Sequence, residues 1–160
     1  MFLGKKEIIN RIKNQNLIEN FDENNIQGAG VDLEIEELHK VKSGGFIGIN
    51  NRILPELEKE SIFIIKPMEY YLCITKEKVN MPNDLVAFIF PRSTLFRCGV
   101  SLKTAVVDPG YKGRLTMGIK NESKYEFKLE RYARIAQIVF CEVKGETSAY
   151  NGRYQGGRII

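Results

Sequence analysis

Histidine is almost missing from this chain, with His39 the single instance in 160 residues. One imidazole excludes a zinc site built on several histidines and a cupin-like metal cage, and it makes a Ser-His-Asp triad hard to assemble. Cysteine is scarce as well. Cys73, Cys98 and Cys141 are odd in number and show no C-x-x-C spacing. Each sits among apolar or β-prone neighbours and reads as a buried free thiol rather than a metal ligand. Any metal is therefore expected to be a hard cation held by oxygens. No apolar run approaches the roughly 20 residues needed to cross a bilayer. The opening MFLGKKEIINRIK lacks the apolar core and cleavage signature of a secretory signal. A cytoplasmic protein without membrane contact is expected. No Lys/Arg block is present, and a net charge of +4 is too mild and dispersed for nucleic acid, though it suits a small anionic ligand.

What is present is ordinary in bulk: 43% hydrophobic and 28% charged residues, enough for one domain over 1–160 with a real core. No internal repeat or low-complexity linker divides it. Ile8, Ile9 and Ile12 on one side of a lysine-rich stretch predict a short amphipathic helix over 5–15. After Gly28-Ala29-Gly30, Val31, Leu33 and Ile35 alternate with Asp32, Glu34 and Glu36, the pattern of a strand with one polar face. Asp32 on that face is either solvated or functional. Residues 50–60 read as a loop. Strands are predicted over 62–66, 70–75, 85–90, 101–107, 114–120, 125–129 and 134–143, separated by Pro, Gly and Asn turn signals. Many short strands at this spacing predict an all-β sandwich or barrel.

The segment Pro91–Asn121 concentrates the chemistry. Arg92, Ser93 and Thr94 supply a guanidinium, two hydroxyls and turning backbone N–H groups, all able to hold phosphate oxygens. A strand-end turn with a surface salt bridge would use the same residues. Arg97 adds a second cation. Asp108 precedes Pro109-Gly110 and either caps that turn or deprotonates a water beside a phosphate. Tyr111 lies three residues on, its ring available to cover a sugar or base. The small Ala105 lets backbone approach a planar base closely. The glycine-rich tail 150–160 reads either as a frayed end or, with its tyrosines, glutamine and arginines, as a mobile flap that orders over a ligand.

In order, LGKKEI and GAGVDLEI, PRSTLFRCG, TAVVDPGYKGR, YARIAQIVF and YNGRYQGG resemble the motifs of the dUTP diphosphatases (dUTPases), in the archaeal-type branch that is similar to dCTP deaminases. The resemblance runs nearly end to end. It implies a distorted jelly roll of the β-clip kind, a homotrimer with sites shared between subunits, and hydrolysis of dUTP with Mg²⁺. By carry-over, Asp108 activates the attacking water, Tyr111 lies against the deoxyribose, and backbone from Thr104 through Ala105 to Val107 reads uracil. Arg92, Ser93, Thr94, Arg97 and Gln137 bind phosphates, and Tyr154 and Gln155 close over the nucleotide. Asp32 is expected near the metal through water or as a charge-balancing partner, and Arg134 is expected to brace a carboxylate.

Two rival functions share many of these residues. A dCTP deaminase, or an enzyme that both deaminates and hydrolyses, uses a glutamate on the strand after the Pro-Gly turn. Counting ten residues from Asp108 brings the matching position to Gly118, which cannot shuttle a proton. A non-catalytic nucleotide-binding β-sandwich would use the phosphate turn alone, without needing Asp108 and the tail together.

Overall fold

Six strands carry the architecture of the computed structural model, which describes residues 1–160. Helix α1 (Lys5–Gln15) is followed by strands β1 (Gly30–Val41), β2 (Tyr70–Asn80) and β3 (Leu85–Pro91). The short helix α2 (Ser93–Arg97) then leads to β4 (Val100–Lys103), β5 (Lys112–Asn121) and β6 (Arg134–Glu142). They pair antiparallel in the order β4-β5-β2-β1-β6-β3. The two ends of that path meet where Ala87 of β3 exchanges backbone hydrogen bonds of 3.0 and 2.9 Å with Val107, just beyond β4. The sheet is thus a nearly closed, barrel-like wrap, which leaves few unpaired edges. This is the expected all-β fold with a short N-terminal helix.

Local patterning explains the core. In β2 the positions Tyr71, Cys73, Thr75, Glu77 and Val79 are buried while their neighbours Tyr70, Leu72, Lys76 and Lys78 are not, and only the buried Ile74 interrupts this, the period of two that a pleated strand imposes. Leu33, Ile35, Leu38, Met117, Ile138 and Phe140 fill the interior, each contributing roughly 1.5–3 kcal/mol by leaving water. Helix α1 seals one end through the fully buried Ile8. It stops at Asn16, whose left-handed conformation (φ 54°) lets its N–H reach the Ile12 carbonyl.

Several predicted boundaries shift for non-local reasons. The loop expected over 50–60 contains strand pieces: Arg52–Ile53 pairs with Phe46–Ile47, and Leu57–Lys59 pairs with the far end of β1. β1 and β2 run well past their predicted ends because each finds a partner there. Strand 101–107 instead ends at Lys103, and 125–129 shrinks to Phe127–Lys128, paired only with Ile64–Ile65. The three cysteines differ, contrary to the expectation of uniform burial. Cys73 is buried, and burial pushes its thiol up to about 12. Cys98 is exposed in the turn after α2, and Cys141 is half-buried. No helix is long and apolar enough to cross a membrane.

Candidate active site

Closure of the sheet leaves a cavity of about 420 Å³ next to the Ala87–Val107 bridge. Its lining includes Ala105, Val107, Asp108 and Tyr111 from the β4–β5 connection and Tyr70, Leu72 and Thr116 from the sheet. The Asp108–Tyr111 turn follows from sequence alone. Proline stands at its second position, glycine with φ 78° at its third, and the Tyr111 N–H donates to the Asp108 carbonyl at 3.2 Å, which defines a type II turn. A Cβ at Gly110 would also stand 2.6 Å from that of Ala149. The turn lifts the Asp108 side chain to the cavity mouth, exposed and without a hydrogen bond or ion pair inside the chain. Asp108 also borders a second cleft of about 870 Å³ on the side of Pro109 and Thr147.

Tyr111 is nearly buried, and its hydroxyl donates to the Arg114 carbonyl at 2.6 Å. Burial holds that phenol up at about 12. Between β4 and the bridge, Ala105 and Val106 line the cavity with backbone groups that no strand pairs. Val107 is different. Both its N–H and its carbonyl are taken up by Ala87, so its backbone is not free to read a base. Thr104 is exposed, outside the cavity, and its hydroxyl donates to the Ile89 carbonyl at 2.9 Å.

The tail is held over the same turn. Tyr150 N–H donates to the Pro109 carbonyl at 2.8 Å, and Gly156 N–H to that of Lys112 at 2.8 Å. The Gln155 side chain accepts from the Lys112 N–H at 2.7 Å and donates to the Gly110 carbonyl at 3.0 Å. Gln155 therefore anchors the tail and does not line the main cavity, whereas Tyr154 does, together with Arg158, Ile159 and Ile160. The Tyr150 ring meets Tyr111 edge-on, centroids 5.6 Å apart.

The other expected site residues gather elsewhere. Asp32, only 2% exposed, accepts from the Arg92 guanidinium, from Arg134 at 3.3 Å and from Gln27 at 3.2 Å. Gln137 of β6 lies directly opposite both Asp32 and Phe90, so it shares their face of the sheet. Ser93 and Thr94 open α2, exposed, and the exposed Arg97 guanidinium stacks 5.3 Å from the Phe96 ring centre. None of these residues borders the 420 Å³ cavity. Nor does Asp32 fit the expected water-mediated contact with a metal. Its carboxylate is buried against two guanidiniums. It is a charge-balancing partner that holds Arg92 in place, and Arg134 braces it within the same chain. Asp32→Ala strands two half-exposed guanidiniums and is expected to lower stability by about 2 kcal/mol, read as an earlier urea midpoint at unchanged slope. A shift under a quarter of that would show that the pair is not structural.

Sequence reasoning passed over Tyr70, Leu72 and Thr116. A signal existed in the adjacent pair Tyr70-Tyr71: alternation must send one inward and the other to the opposite face. Tyr71 is 1% exposed and its hydroxyl binds Glu69, while Tyr70 faces the cavity.

Residues 2–143 match the profile of a family described as dCTP deaminase-like. A probable deoxyuridine 5'-triphosphate nucleotidohydrolase of Archaeoglobus fulgidus is 36% identical over 98% of this chain and 97% of its own length. A dCTP deaminase of Pyrococcus abyssi is also 36% identical, over 94% of this chain and 92% of its own. Among solved structures, the dCTP deaminase of Agrobacterium tumefaciens superposes with a TM-score of 0.71 at 18% identity. That match covers 87% of this chain but only 47% of the other. The EIAV dUTPase superposes with a TM-score of 0.57 at 15% identity, over 87% and 98%. At these identities the superpositions establish the fold, and it is the shared all-β wrap.

Proposed function

The chain belongs to the dCTP deaminase-like family, and from that premise we propose that it is a dUTP diphosphatase, hydrolysing dUTP to dUMP and pyrophosphate. Relatives of equal identity carry both activities in their names, so the residues must choose between them. The observation that carries the choice is the pairing of a free Asp108 carboxylate at the cavity mouth with a glycine, Gly118, on the neighbouring strand face. Asp108 can accept a proton from water. Nothing at position 118 can shuttle one to or from an exocyclic amine.

In the proposed reaction Asp108 orients a water and takes its proton as the water oxygen attacks the α-phosphorus; the bond to the bridging oxygen breaks and pyrophosphate leaves. Asp108 suits this role because no neighbour neutralises or pins it. The unpaired backbone of Ala105 and Val106, which line the cavity, would pair with the edge of uracil, and Thr104 stands outside that contact. Val107 contributes its side chain to the cavity wall. Tyr111 lies against the sugar, and Tyr154 closes the cavity from the tail. Arg92, Ser93, Thr94, Arg97 and Gln137 form a basic and hydroxyl-bearing patch that suits phosphates. Because this patch lies apart from the cavity on one chain, a complete site is best built from neighbouring subunits, in support of a homotrimer. Exposed Phe90, Phe96 and Val106 give such an interface apolar surface. A Mg²⁺ ion arriving with dUTP would be held by phosphate oxygens and water, and it would offset charge on the triphosphate. A cytoplasmic enzyme of the deoxynucleotide pool is the corresponding cellular role.

Purified protein with Mg²⁺ is expected to release pyrophosphate from dUTP and to form no uracil nucleotide from dCTP. Deamination at a rate comparable to dUTP turnover would refute the assignment. Binding of dUTP without pyrophosphate release would identify a nucleotide-binding sandwich instead.

A further inference from the structure

Tyr70 and Gly118 meet across two strands in a way that the proposed reaction leaves unexplained. Gly118 of β5 stands opposite Leu72 of β2, and Lys120 opposite Tyr70. Residues two apart on a strand share a face, so Tyr70 and Gly118 are diagonal neighbours on the cavity side, within reach of a long aromatic side chain. The Tyr70 side chain takes that diagonal. A Cβ at position 118 would overlap the Tyr70 hydroxyl oxygen and stand 2.6 Å from the ring carbon that bears it. Glycine is what allows the phenol to lie against the β5 backbone.

The hydroxyl is also free. Tyr71 donates to Glu69 and Tyr111 to the Arg114 carbonyl, but Tyr70 Oη has no hydrogen-bond partner within the chain. Its residue lines the same cavity as Asp108, Tyr111 and Thr116. Partial burial raises its phenol pKa, so at neutral pH it is an uncharged donor. A donor on a largely apolar wall has a natural complement in a carbonyl oxygen of a flat ring, since a bound ligand that left it unpaired would lose affinity.

We propose that Tyr70 is a specificity-determining residue of the nucleobase pocket: its ring occupies the space that a side chain at position 118 would take, and its hydroxyl donates to a carbonyl of a pyrimidine. The assignment rests on the reading of the cavity as a nucleotide site. At ring position 4 uracil presents a carbonyl where cytosine presents an amine, so a donor meeting that position favours uracil, whereas the O2 carbonyl is common to both bases. The steric half has a further consequence. A side chain gained at position 118 would require the Tyr70 ring to turn aside from the β5 backbone.

Three variants test this. Tyr70→Phe removes only the hydroxyl and is expected to raise KM for dUTP about three- to tenfold, with most of the loss in KM rather than kcat. Inhibition by dCTP should change less than twofold, so that selectivity falls by nearly the full factor. Gly118→Ala is expected to lower the melting temperature and raise KM further, and Tyr70→Ala added to Gly118→Ala is expected to restore the melting temperature. Tyr70→Phe with an unchanged KM, or with equal weakening of dUTP and dCTP, overturns the hydroxyl's role. A double variant that melts no higher than Gly118→Ala alone overturns the steric one. Should the parent protein release no pyrophosphate from dUTP, the functional reading falls and this assignment with it. Turnover by the parent with an unaltered Tyr70→Phe removes the assignment alone.

Discussion

Asp108→Asn is expected to slow pyrophosphate release from dUTP by about 10²–10⁴-fold while leaving dUTP binding near that of the parent. The amide keeps the shape of the carboxylate and can still accept a hydrogen bond, but it cannot take a proton from water at neutral pH. The fold should not notice the change. The side chain is exposed at the cavity mouth and makes no contact that holds the Asp108–Tyr111 turn together, which depends on Pro109, Gly110 and the Tyr111 N–H. Single-turnover rates and nucleotide-induced thermal shifts, measured side by side, separate chemistry from binding. Retention of more than a few per cent of the rate would mean that another group activates the water.

A second large effect is expected from Glu77, a carboxyl at the centre of β2 with no solvent exposure. One oxygen accepts the Glu34 N–H at 3.0 Å, while the other is buried without a partner. Burial pushes its pKa up to about 7, aided by the nearby Glu34 charge and opposed by backbone hydrogen bonds and Lys76. In the unfolded chain the group titrates near 4.5. Below that value both states are protonated and folding is unaffected. As pH rises from 4.5 to 7 the unfolded state releases its proton first, so stability declines across this window, and the penalty persists above it. A shift of this size corresponds to about 3 kcal/mol.

Glu77→Gln should abolish that decline, because glutamine keeps an acceptor for the Glu34 N–H and carries no charge. Urea midpoints at pH 5 and pH 8 for parent and variant provide the check. The variant is expected to be the more stable at pH 8, and equal slopes for the two proteins would sink the idea. Carboxylates held low, such as Glu37 at about 2, where Arg114, Lys59 and His39 outweigh burial, act at the other end of the scale. Their stabilisation is lost only as pH falls below the usual carboxylate range, so they do not mask the Glu77 window.

The chain's local grammar was sufficient for much of this protein. Alternation in β2 and β5, the isoleucine stripe of α1, and the Pro-Gly pair after Asp108 each act within a few residues, and each forms the element its chemistry dictates. Tertiary structure alone decided which carboxylate is free and which is neutralised. Asp32 and Asp108 are the same residue type, but Asp32 meets an arginine 60 residues away and another 102 away, while Asp108 meets none. The exposure of Cys98, the anchoring of Gln155, expected to close over a nucleotide, on the turn after Asp108, and the contact of Tyr70 with Gly118 are of the same kind. Strand register and sheet closure bring these partners together, and both depend on pairing between segments far apart in the chain. Local periodicity says which face a side chain takes, and only the folded register says what stands opposite it.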